Sequence, residues 1–198
     1  ASSSRPEPTI RVKTVMHRDN PILCGNPPTR PPVSGHTLFP ALLQSVMIWE
    51  ALEAAGVPDV RSVRSHELGG FSFICIVAIK QRYPGHARQA GLVASQCRAG
   101  AYMGRYVIVV DEDIDPYNTD DVLWAMATRS EPASDIEILR RCWSGPLDPA
   151  IPLGEKGHNS RAIIDACKPY EWIDEFPVAI AMREEVVERV KAKWGDLF

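Results

Sequence analysis

Two stretches of the chain are apolar almost without interruption, FSFICIVAI (71–79) and YVIVV (106–110), and both are rich in β-branched residues. A strand that is apolar on both faces must be covered on both, so these runs predict the centre of a buried sheet. Elsewhere the period changes. HTLFPALLQSVMIWEALEAAG, from His36, places Leu38, Leu42, Val46, Trp49 and Leu52 on one helical face, and Gly56 closes it. PGHARQAGLVASQC (84–97) and TDDVLWAMATR (119–129) predict two shorter helices, the second N-capped by Thr119. Looser patterns predict strands over residues 9–16, in VRSVRSH (60–66), in DIEIL (135–139) and in RAIIDAC (161–167), with Gly69–Gly70 as the turn after the second of these. REEVVERVKAKWG (183–195) closes the chain as an amphipathic helix, with Val186, Val187, Val190 and Trp194 partly on one stripe.

Strands alternating with helices predict an α/β fold, a layered and mostly buried sheet flanked by helices, with the C-terminal amphipathic helix added. Three regions follow: an N-terminal strand and Pro-rich connecting loop (1–35), an α/β domain (36–170) and a C-terminal helical extension (171–198). The loop RDNPILCGNPPTRPPVSG (18–35) carries five prolines, which fix φ and exclude a helix. A loop of that length is functional or packs on another part of the protein. The opening ASSSRPEPTI has no initiator Met and reads either as a processed end or as a point inside a longer polypeptide.

Composition narrows the function classes. With 45% hydrophobic and 24% charged residues the chain is that of a globular protein, and a net charge of −3 argues against a nucleic-acid partner. No apolar run is long enough for a membrane span. The five cysteines are odd in number and contain no C-x-x-C, and Cys75 lies inside an apolar strand, so a reducing, cytoplasmic setting is expected. No two of the five histidines share the spacing of a zinc site.

The candidate chemistry lies in three places. Asp111, Glu112, Asp113 and Asp115 follow a buried strand, where α/β proteins often place ligand groups. If the strand continued, Asp111, Asp113 and Asp115 would share one side and could converge on Mg²⁺; the alternative is a turn at Pro116 and Asn118 in which the carboxylates are satisfied by backbone N–H groups and by arginines such as Arg129. In CRAGAYMGR (97–105), Arg98 stands beside Ala99, Gly100 and Ala101, where a phosphate could approach the backbone; a solvated cation at a helix end is the alternative. In CWSGPLDPAIP (142–152), Trp143 and Leu147 could wall an apolar pocket or plug the core. His36 could cap the helix it opens or touch a ligand. Glycine-rich phosphate loops and the G-x-S-x-G elbow are absent.

Taken together, RYVIVVDEDIDPYNTDDVLWAMATR (105–129), the following Asp135–Ile136 and GPLDP (145–149) resemble the C-terminal region of the UbiD family, reversible (de)carboxylases that use prenylated FMN. TVMHRDNPI (14–22) and GHTLF (35–39) extend the resemblance, which covers essentially the whole chain in order. It implies an aromatic or α,β-unsaturated acid as substrate. It also implies that the catalytic Glu–Arg–Glu set lies upstream, outside this chain, with the ligands for the cofactor's divalent metal (Mn or Mg, with K⁺ as an optional further ion). This chain alone is then inactive. Arg98 falls where family members often hold a Lys near the flavin. Phe39, Ala101, Trp143 and Leu147 fall at substrate-pocket positions, and His36 with Thr37 matches a His-Thr pair found in part of the family. The resemblance assigns the acidic run to the scaffold. Its implied partners are the upstream flavin-binding part, further copies in a homo-oligomer and a flavin prenyltransferase supplying the cofactor. A stand-alone non-catalytic subunit that joins a separate flavin-binding chain is the alternative.

Overall fold

The computed structural model of the chain describes residues 6–23, 25, 30, 35–70, 72–180 and 182–195. Five strands, β1 (Val60–Ser65), β2 (Ile74–Ile79), β3 (Tyr106–Asp111), β4 (Ile136–Trp143) and β5 (His158–Ala166), form one sheet in the order β1-β2-β3-β5-β4. The apolar runs β2 and β3 lie inside it and pair in parallel, as do β3 and β5, while β1 and β4 are antiparallel edges. The helices are α1 (Gly35–Ala54), α2 (His86–Gln96), the single turn α3 (Arg98–Ala101), α4 (Thr119–Arg129), the single turn α5 (Pro132–Asp135) and α6 (Glu184–Trp194).

Period-two alternation divides the core between the two faces. Cys75, Val77, Ile79, Val107 and Val109 pack against Ile48 and Leu52 of α1 and Ala87, Ala90 and Ala94 of α2. Ile76, Ala78, Ile108, Val110 and Ile164 pack against Val122 and Ala125 of α4. The result is the expected α/β layering. Cys75 is free and buried, and burial pushes its thiol up to about 12. Among the described residues no helix is long and apolar enough to cross a membrane.

Three local expectations fail. Residues 6–18 form no strand, and Ile10, Val12 and Val15 are exposed, because residues 9–16 meet no described strand to pair with. In α1 the inward face is Thr37, Ala41, Ser45, Ile48 and Leu52, whereas Leu38, Leu42 and Val46 point outward and Trp49 is half-buried. Small residues let the helix lie close: Ser45 Oγ accepts from the backbone N of Ser65, 2.8 Å away, and donates to Ala41 O. The cap of α4 is Asn118, not Thr119; its Oδ1 accepts from Asp120 N at 3.1 Å.

Candidate functional site

The carboxyl ends of β2, β3 and β5 hold the acidic run, already paired. Buried Arg129, in the last turn of α4, donates from Nη1 to Asp111 Oδ2 (3.2 Å) and to Asp113 Oδ1 (2.8 Å), and from Nη2 to Asp113 Oδ2 (2.9 Å). Lys168 adds its backbone N–H to Asp111 (2.7 Å) and its Nζ to Asp113 (2.9 Å), and Gln81 Nε2 donates to Asp111 Oδ1 (2.8 Å). Arg129, followed by Lys168, holds the Asp113 carboxyl down at about 2. Asp115 turns into the following loop and accepts from Tyr117 N at 2.9 Å. The acids therefore stabilise a turn, and among the described residues no group of three or more His, Cys, Asp or Glu side chains is disposed around a metal site.

Ala101, Trp143 and Leu147, three of the residues singled out for a pocket, lie at the opposite, amino edge. After α2 the chain makes one further turn, α3, packed backbone on backbone: a Cβ on Gly100 would lie 1.8 Å from Ala94 O. The chain then leaves α3 through Met103, whose φ of 59° is sparsely populated for a non-glycine residue. Gln44 of α1 donates to Ala99 O at 2.8 Å, tying α1 to this turn. On the other side β4 carries a bulge between Leu139 and Cys142, with Arg141 at φ 56°, and so re-aims the residue that ends the strand, Trp143. The Trp143 and Tyr102 rings are 6.0 Å apart, and Gly145 lies so close to Tyr102 that a Cβ there would be 2.6 Å from its ring.

Two buried polar groups fix these pieces. Arg161, 1% exposed on β5, donates to the carbonyls of Ala101 (2.6 Å) and Trp143 (2.5 Å) from Nη2, and to those of Ser95 and Gly100 from Nη1. Burial lowers its pKa, yet a guanidinium remains charged. Asp148, 0% exposed, anchors the 143–148 loop: its carboxylate accepts from Arg105 Nη2, Ala150 N (3.0 Å) and Asn159 Nδ2 (3.3 Å). Neither was marked out by the sequence. The available signal was a charge opening an apolar strand, RAIIDA, and an Asp between Leu147 and Pro149.

Ala101 and Trp143 are thus brought together, with Arg98 and Leu147 on the same two anchored segments. Trp143 is 59% and Leu147 44% exposed. Phe39, 69% exposed, instead lines an apolar cavity of about 300 Å³ with Leu38, Leu42, Arg64, Glu67 and Tyr117. His36 lies in the first turn of α1, and its side chain is outside the described residues. Arg98 is exposed, and its side chain makes no hydrogen bond or ion pair among the described residues.

Comparison with known proteins gives the chain a family and its fold close structural counterparts. The family profile of the 3-octaprenyl-4-hydroxybenzoate carboxy-lyase C-terminal domain matches residues 37–166. A phenolic acid decarboxylase of Sedimentibacter hydroxybenzoicus is 32% identical over 168 residues, covering 85% of this chain and 34% of that protein. The apo structure of a 3,4-dihydroxybenzoic acid decarboxylase from Enterobacter cloacae superposes with TM-score 0.70 at 28% identity, over 84% of this chain and 35% of that one. The UbiD-class enzyme HmfF of Pelotomaculum thermopropionicum, solved with FMN, shares the fold at TM-score 0.70 and 23% identity, over 80% of this chain and 34% of its own. The chain spans 34% to 39% of the length of the curated relatives it matches.

Proposed function

Because the chain belongs to the 3-octaprenyl-4-hydroxybenzoate carboxy-lyase C-terminal domain family, we propose that it works as the C-terminal domain of a larger UbiD-like decarboxylase, acting reversibly and without net oxidation on an aromatic or α,β-unsaturated carboxylic acid with prenylated FMN. In this reading the catalytic Glu–Arg–Glu set and the metal ligands belong to the rest of the enzyme, and this domain supplies a pocket wall and part of an oligomer interface. The observation that carries it is the pair of large apolar side chains, Trp143 and Leu147, left exposed on a segment whose main chain is held at both ends, Trp143 O by Arg161 and Asp148 O by Lys156. Rigid backbone beneath exposed apolar groups suits a ligand that arrives from outside the chain. The outer face of α1, with Leu42, Leu43, Val46 and Met47 exposed, gives the domain further apolar surface for contact with other protein.

Loss of CO₂ from such an acid leaves an electron pair in an sp² orbital orthogonal to the π system, and the flavin, when bound, supplies the electron sink. The chain's own residues fit one side of that group. Arg98 offers an exposed cation with no partner among the described residues, and Gly100 and Ala101 beside it add little bulk. Arg98 would neutralise part of the cofactor's anionic end, while Trp143 and Leu147 exclude water from the substrate ring and orient it.

The test is Leu147→Ala in the complete enzyme that carries this chain. Substrate preference among aromatic acids should change, while flavin content stays near that of the parent. Collapse of flavin loading with preference unchanged refutes the pocket assignment.

A further inference from the structure

We infer that Arg161, which faces no substrate in this arrangement, is a positioning residue that sets the spacing between Ala101 and Trp143, and thereby the shape of acid the site accepts; the inference rests on the pocket reading proposed above. Arg161 stands where β5 alternates. Ala162 and Ile164 turn toward α4, while Ile163 lies against Gly91 of α2, so Arg161 shares the α2 side with Ile163. Its side chain ends beneath the junction of α2 and α3. All four of its acceptors are main-chain carbonyls: Ser95 near the end of α2, Gly100 and Ala101 of α3, and Trp143 at the end of β4. No carboxylate pairs with it among the described residues.

A buried cation without an anionic partner is a costly way to fill space, and an apolar side chain of similar volume serves stability as well or better. What the guanidinium adds is geometry. Its planar fork reaches acceptors that an ammonium, a single point charge, cannot span together. One nitrogen, Nη2, accounts for both Ala101 O and Trp143 O, so these two segments cannot drift apart without breaking a bond to the same atom. The carbonyls at the ends of α2 and α3 also carry the helices' partial negative charge, which suits a cation there. Misplacement by a fraction of an ångström at such a wall alters how a substrate is held.

The experiment uses Arg161→Lys and Arg161→Gln in the complete enzyme, with Leu147→Ala as the reference for the pocket itself. kcat and KM are measured for two aromatic acids that differ in ring bulk, together with flavin absorbance. The Lys variant is expected to change the ratio of kcat/KM between the two acids by about tenfold, with KM moving more than kcat and the flavin spectrum and content unchanged. An equal loss of activity on both acids overturns the inference, because a purely structural role lowers the active fraction without altering preference. Failure of both variants to accumulate as folded protein also overturns it, making Arg161 a folding residue. If Leu147→Ala moves the ratio and Arg161→Lys does not, the pocket reading stands and the Arg161 inference falls. If neither moves it, the pocket reading falls and takes the inference with it.

Discussion

Asp165 near the end of β5 is the carboxylate least at ease in the fold. It borders a cavity of about 160 Å³ shared with Gln81, Asp135, Cys167 and Lys168, and its Oδ1 accepts from the backbone N of Cys167 at 3.0 Å. Burial is the largest influence on it, with Asp135 and Asp111 adding like charge, and together they push its pKa from the ordinary 3.8 up to about 6. The protonated form is therefore favoured by folding. Below the unfolded value the carboxyl is neutral in both states and costs nothing; as pH rises through 6 the folded protein must hold the anion. At neutral pH that cost is about 3 kcal/mol, an upper figure since the group keeps some contact with solvent. Asp165→Asn keeps an acceptor for the Cys167 N–H and has no ionised form. Urea unfolding followed by circular dichroism should show the Asn variant more stable than the parent by about 1–3 kcal/mol near pH 7.5, with the gap closing toward about pH 4. Asp113, held at about 2, titrates below this window and is common to both proteins, so it cancels from the comparison. A gap that does not vary with pH, or an Asn variant less stable near neutrality, would refute the reasoning.

Other perturbations probe the two ends of the sheet. Gly145→Ala sets a Cβ 2.6 Å from the Tyr102 ring, and should cost about 1–3 kcal/mol in chemical denaturation. Arg129→Ala leaves Asp111 buried without its guanidinium and should cost about 3–5 kcal/mol by the same measurement. Cys75, pushed up to about 12, and Cys167, pushed well above its ordinary value, are both buried; site-resolved mass spectrometry should find them unreactive toward thiol reagents until the protein unfolds.

What the sequence disclosed follows from what a one-dimensional pattern can carry. β2 and β3 were legible because a strand covered on both faces must be apolar throughout, and α2, α4 and α6 because their periods are distinct. The satisfied turn, one of two readings left open for the acids, is the one found, with Arg129 as the arginine. The inward face of α1 was not legible: periodicity finds the most apolar stripe, but close packing on the sheet selected Thr37, Ala41 and Ser45 instead. Residues 9–16 have the composition of a strand, yet strand formation is a property of a pair, and the pairing edge is missing among the described residues. Arg161 and Asp148 escaped for a related reason. The acceptors of Arg161 are backbone carbonyls far away in sequence, which leave no mark in a residue pattern, and the side chains that hold Asp148, Arg105 and Asn159, come from other segments of the chain.

That grip on the main chain bears on how such a domain diversifies. Because Arg161 holds Ala101 and Trp143 by their carbonyl oxygens, and the Leu147 loop is fastened through its neighbour Asp148, the side chains at 101, 143 and 147 are decoupled from the bonds that keep them in place. Variation there can explore new shapes while the scaffold stays intact, so a saturation library at those three positions will retain a high proportion of folded members. In the pocket reading proposed above, the same positions, drifting over generations, offer a lineage a route to a different acid through intermediates that all still fold.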